Sequence, residues 1–110
     1  LFRSTQYHLL KPSAPDEAAT LLDQAEQLAL RAESIRPGAA TYNLACIRSL
    51  KGDLPAALET LRTAHAAGTL PSSTHLRADP DLAPLRAAPA FQTWWRELFG
   101  ADEPLDAPAG

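Results

Sequence analysis

The sequence predicts an all-α protein, and three observations carry that expectation. Valine is absent and isoleucine occurs only at Ile35 and Ile47, whereas alanine and leucine abound, so β-branched strand formers are scarce and helix formers plentiful. Apolar residues recur at i, i+3, i+4 and i+7 in successive windows. Prolines stand at the breaks and first turns of those windows, where a helix tolerates them.

The chain has 110 residues, enough for one domain with a single core. One cysteine, Cys46, excludes an internal disulfide and permits a reducing compartment, so a cytoplasmic location is expected. A net charge of -3, two lysines and scattered arginines argue against nucleic acid as a partner. No apolar run reaches the roughly 20 residues of a membrane span, and no membrane association is expected. The start at Leu1 instead of Met reads as a piece cut from something longer.

"LFRSTQYHLL" places Phe2, Leu9 and Leu10 around Tyr7 and predicts a short first helix, which "KPSAP" ends. Ser13 with Asp16 three residues on has the form of a capping box, so a second helix is predicted from near residue 14. Its apolar stripe runs from Ala18 through Leu21, Leu22, Ala25, Leu28, Ala29 and Ala32 to Ile35, with Glu26 and Glu33 outside it. "RPG" at 36 to 38 closes it. A third helix is predicted over about 39 to 50, stopped by Gly52, and a fourth follows Asp53 with Pro55 in its first turn. Their connection is short enough to force antiparallel packing. Beyond Gly68, prolines at 71, 80, 84 and 89 allow only short helices near 73 to 78 and 81 to 87. A last helix opens at Pro89 and carries Phe91, Trp94, Trp95, Leu98 and Phe99. Trp94 and Trp95 are expected to be buried in a capping helix, with an exposed aromatic anchor as the alternative, although two adjacent tryptophans cannot point at one spot and one has room to stay partly exposed. The tail, 101 to 110, reads as disordered.

Within this order, "YNLA", "LKGD", Ala57-Leu58, Leu61 and Ala64 resemble the tetratricopeptide repeat, a helix-turn-helix unit of about 34 residues. The resemblance places small residues, Ala45 and Ala57, where two helices cross at about 8 to 10 Å. Residues 38 to 69 match well. Residues 1 to 37 resemble a degenerate repeat with a lengthened turn, and 70 to 100 a decayed repeat with capping helices, similar to the closing segment of bacterial proteins of this class. The resemblance implies a short right-handed solenoid with a helical C-terminal cap. It also implies a non-catalytic protein-protein interaction module whose concave groove holds a peptide or partner helix. Carried over by position, Ala39, Tyr42, Asn43, Cys46, Ser49 and Leu50 face that groove, and Asn43 is the residue that clamps a ligand backbone. The lysine-containing motifs with which some members grip a C-terminal carboxylate are absent, leaving Arg3, Arg48 and Arg77 as the groove charges. An interface below about 1,200 Å² is expected. The alternatives are a self-associating module that stacks through Phe2, Leu9 and Leu10, and an accessory domain of a larger enzyme.

Chemistry is sparse in the linear sequence. His8, Cys46, His65 and His75 are the candidate metal ligands, yet none stands three or four residues from another, and neither CxxC nor HExxH occurs. No metal or other cofactor is therefore expected. Asp16, Asp53, Asp79 and Asp81 all have capping roles available, so none is singled out as an acid or base.

Overall fold

Helix starts and stops follow the local chemistry closely. The computed structural model describes residues 4–105; Phe2 and Arg3, given roles above, lie outside them. The order is α1 (Ser4–Leu10), α2 (Pro15–Ile35), α3 (Thr41–Lys51), α4 (Leu54–Ala66), α5 (Ser73–Ala78), a 3₁₀ turn (Pro80–Leu82), α6 (Ala83–Arg86) and α7 (Pro89–Phe99). Among the described residues there is no strand, and no helix is long and apolar enough to cross a membrane.

The junctions show which caps form. Ser13 makes no capping box: Ala14 is the N-cap residue of α2, without a side-chain bond, and Pro15 at the first position removes one N–H that would otherwise need a partner. Asp53 likewise precedes α4 without capping it through its side chain. Gly52, at φ +83°, ends α3 in the left-handed region. Its N–H donates to the Ser49 carbonyl and that of Asp53 to the Arg48 carbonyl, the paired closure that a glycine at this position permits.

α3 is the central element. Leu44 and Ile47 pack into one cluster with Tyr7, Leu22, Ala25 and Ala29 of α1 and α2. Ala45 and Cys46 pack into a second with Leu58 and Leu61 of α4, Leu76 of α5, Leu82 and Leu85, and the aromatics of α7. Ala45 and Ala57 are both fully buried, so the α3–α4 crossing is closed by small side chains. A charged lattice ties the same helices at their edge. Arg48 donates from Nε to Glu26 at 3.1 Å and from a terminal nitrogen to Thr60 Oγ1 at 2.8 Å, and Lys51 reaches both Asp23 and Glu26 at 2.8 Å.

The α7 aromatics are buried, as the favoured reading has them, and neither tryptophan is left partly exposed. Trp94 and Trp95 are both buried, at 4% and 1% exposure. Adjacent residues point about 100° apart, but here both directions are covered. Trp94 meets Phe91 and, edge-on, Phe99, while Trp95 lies against Phe91 and Phe99 with the Arg77 guanidinium 6.0 Å from its ring. The chain after Gly100 supplies the rest. Trp95 Nε1 donates to the Glu103 carbonyl at 2.6 Å, and Leu105 packs on the same cluster. Residues 101–105 thus fold back on α7 where a disordered tail was expected; 106–110 lie outside the described residues.

Candidate functional site

The six predicted groove residues do not share one open face of α3. Tyr42, Cys46 and Ser49, spaced i, i+4 and i+7, turn toward the C-terminal half. The Tyr42 hydroxyl donates to Asp79 Oδ2 at 2.6 Å, and its ring meets His75 edge-on at 5.5 Å between centroids. Cys46 is buried, with its thiol donating to the same carboxylate oxygen at 3.8 Å. Ser49 is fully buried, and its hydroxyl has no hydrogen-bond partner among the described residues. Asn43 and Leu50 lie on an adjoining face, and Ala39 precedes the helix. Ala39 is exposed and Asn43 half-buried, while Leu50 lines a hollow of about 310 Å³ with Tyr7, Lys11, Leu22 and Lys51.

A contact between distant segments crosses this helix. His8 Nε2 of α1 lies 3.2 Å from Asp81 Oδ1 in the 3₁₀ turn. Because Asp81 and Cys46 place ligand atoms within 4.8 Å of each other, the bridge passes at the level of Cys46. Asn43 stands on one side of it, one turn toward the start of α3, and Leu50 on the other.

Of the arginines read as groove charges, Arg48 is engaged with Glu26 and Thr60, and Arg77 lies on Trp95. Arg3 is outside the described residues.

What the fold gathers instead is a set of donors that linear spacing had kept apart. Cys46, Asp79 and Asp81 bring one ligand atom each within 4.8 Å of one another. His8 flanks Asp81, and His75 flanks Asp79 at 3.4 Å. Both carboxylate side chains are only 12% exposed. Burial pushes the Cys46 thiol well above its usual range and the neighbouring Asp79 charge adds to the effect; burial likewise raises the Tyr42 phenol. A catalytic nucleophile needs the opposite, a stabilised thiolate.

The aspartates were legible only as caps, and Asp79 does serve as one, accepting from the Asp81 N–H at 2.9 Å. Its second oxygen, turned to Tyr42 and Cys46, had no sequence signal beyond the two-residue spacing of Asp79 and Asp81. His8 and His75 were visible as residue types, but the approach of His8 to Asp81 depends on tertiary packing across 73 residues.

Comparison with protein-family profiles, curated proteins and solved structures gives no match.

Proposed function

We propose that the chain is a non-catalytic protein-interaction module built from tetratricopeptide-like helix pairs, and that it associates with a second copy of itself through the outer edge of α2. The observation that carries this reading is the apolar row Leu21, Leu28 and Ile35. Leu28 is 60% and Ile35 77% exposed, while Leu21 shares a hollow of about 350 Å³ with Leu10 of α1. Seven-residue spacing keeps the three on one stripe, about 21 Å long at helical rise. A lone exposed leucine carries no meaning, but a row along one helix does.

The flanking charges favour a second copy over an unrelated helix. Glu17 and Arg31 are exposed toward opposite ends of the row. Two α2 helices paired antiparallel about a point between Gln24 and Ala25 place Leu21 beside the other copy's Leu28 and bring Glu17 within one residue of the level of the other copy's Arg31. Sedimentation equilibrium from low to high micromolar concentration tests this. A reversible dimer that the double substitution Leu28→Glu, Ile35→Glu returns to monomer supports it, and a mass fixed at one chain throughout sinks it.

Groove recognition of an extended peptide is the second reading, favoured by the half-buried Asn43, whose amide joins no side-chain hydrogen bond among the described residues. A peptide laid along α3 must displace the His8–Asp81 bridge or stop beside it. Peptide titration against Asn43→Ala and Tyr42→Phe tests that reading, and binding indifferent to both removes it.

A further inference from the structure

We propose that the hollow between α6, the C-terminal part of α7 and the returning segment 101–105 binds a small organic carboxylate with an apolar body, a role apart from the α2 edge and the α3 face. The hollow has a volume of about 720 Å³, within the range of small-molecule sites. Trp95, Pro104 and Leu105 give it apolar walls. Among the described residues, its only charged walls are the guanidinium groups of Arg86 and Arg96. Asp102 and Glu103 belong to the same returning segment, yet neither lines it.

That charge is unmatched. No carboxylate among the described residues pairs with Arg86 or Arg96, although the chain carries more carboxylates than cations. Arg48, half-buried like Arg86, is matched by Glu26. Arg86 is also fixed in place. One terminal nitrogen donates to the Leu76 and Asp79 carbonyls at 2.9 and 2.6 Å, which uses two of the five guanidinium N–H groups and leaves three. Those bonds set the plane of the group before a ligand arrives, so meeting a carboxylate costs it little ordering. Gln92 donates to the Arg86 carbonyl at 3.2 Å and stands one helical turn before Arg96, so the two arginines border the hollow from adjoining helices. Arg96 is exposed, and its contact with Thr93, at 3.5 Å, is long enough to be given up.

Charge beside an apolar wall selects the class of ligand. An inorganic anion gains nothing from Pro104 and Leu105, and an uncharged hydrophobe leaves both guanidinium groups unmatched. A carboxylate at the arginines with a ring or branched chain against Leu105 satisfies both, by charge-assisted hydrogen bonds at one end and burial of apolar surface at the other.

Titration of the intact chain with 4-phenylbutyrate, followed in ¹H–¹⁵N correlation spectra, tests the site. The expected result is saturable shifts of the Trp95 indole N–H and of the amides around Gly100 and Leu105, with a Kd on the order of 1 mM for a ligand of about twelve non-hydrogen atoms. 4-Phenylbutyramide keeps the ring without the charge, and acetate keeps the charge without the ring. Each should bind at least about fivefold more weakly. Arg96→Gln and Leu105→Ala should each weaken 4-phenylbutyrate binding at least about threefold, while Asp106→Asn leaves it nearly unchanged. Circular dichroism before titration establishes that each variant is folded. Equal binding of the amide overturns the proposal, as does equal binding of acetate, which marks an adventitious ion only. An affinity unmoved in Arg96→Gln overturns it too. Saturation seen only in Asp106→Asn assigns the hollow to the chain's own carboxylate and likewise overturns it.

Discussion

Glu33, near the end of α2, accepts the Ala40 N–H at 2.6 Å and thereby caps α3 from a neighbouring helix. The same carboxylate takes the Gly38 N–H at 3.2 Å and the Thr41 hydroxyl at 2.8 Å. Ala40, at the N-cap position, has no side chain that can serve, and Glu33 takes the N–H of Ala40 itself, the bond that the glutamate of a capping box makes. Placing a negative charge at the start of α3 also complements that helix's dipole. Glu33→Ala should therefore destabilise the fold by about 1 to 2 kcal/mol, the usual worth of a cap. Glu33→Gln, which keeps an acceptor and loses the charge, should cost less. Urea unfolding of the three proteins checks the order, and a midpoint unmoved in Glu33→Ala contradicts it.

Acid sensitivity follows from Glu33 and Glu26. Burial works to raise the Glu33 carboxyl, but the Ala40 N–H, the Thr41 hydroxyl and the Gly38 N–H together hold it below its ordinary value of 4.5. Lys51 lowers Glu26 most, against burial, with Arg48 assisting. A carboxyl lowered in the folded state stabilises it fully above its unfolded value and loses that contribution as pH falls through the folded one. Stability should thus be flat from pH 7 to about 5 and decline below about 4.5. The raised Lys51 reports the same pair from its other side, through its bonds to Asp23 and Glu26, so its own deprotonation removes stability only at alkaline pH while carboxylate protonation removes it in this window. Denaturant midpoints measured across this range should fall less steeply in the double substitution Glu26→Gln, Glu33→Gln than in the parent.

Glu33 also marks where sequence reading stops. Outside the apolar stripe of α2, it has the pattern of a solvated residue, and nothing local connects it with a helix that starts eight residues later. The helices themselves were readable because proline, glycine and apolar spacing act within a few residues. Even the short pieces near 73 to 78 and 81 to 87 are present, the second as a 3₁₀ turn running into α6. The half of α3 that holds Tyr42, Cys46 and Ser49 was readable as one stripe, but not as a stripe covered by the chain's own C-terminal half. The 3₁₀ turn that covers it is fixed by Asp79, Arg86 and packing on Leu82, none of which has a period to detect.

Gly52 tests the turn between α3 and α4. A Cβ added there meets nothing within 4 Å, so the cost of Gly52→Ala is conformational and not steric crowding by neighbours. With φ at +83°, that cost should be about 1 to 2 kcal/mol. Gly52→Asn should recover part of it, because asparagine tolerates the left-handed region through its short polar side chain. Thermal unfolding of both variants gives the comparison, and equal midpoints for alanine and asparagine run against this account.

The fold-back after α7 makes a prediction for fluorescence. Trp95 is 1% exposed while its indole N–H is held by the Glu103 carbonyl, and Leu105 adds apolar cover beside it. Removing residues 101–110 strips both, leaving a buried indole donor to find water and an apolar edge without contact. The loss should be about 1 to 2 kcal/mol, one hydrogen bond plus part of a side chain's burial. In a Trp94→Phe background, where Trp95 is the sole emitter, the shortened chain should emit to the red of the full one and be quenched more readily by iodide. Unchanged emission after the deletion means that residues 101–105 do not shield the ring in solution.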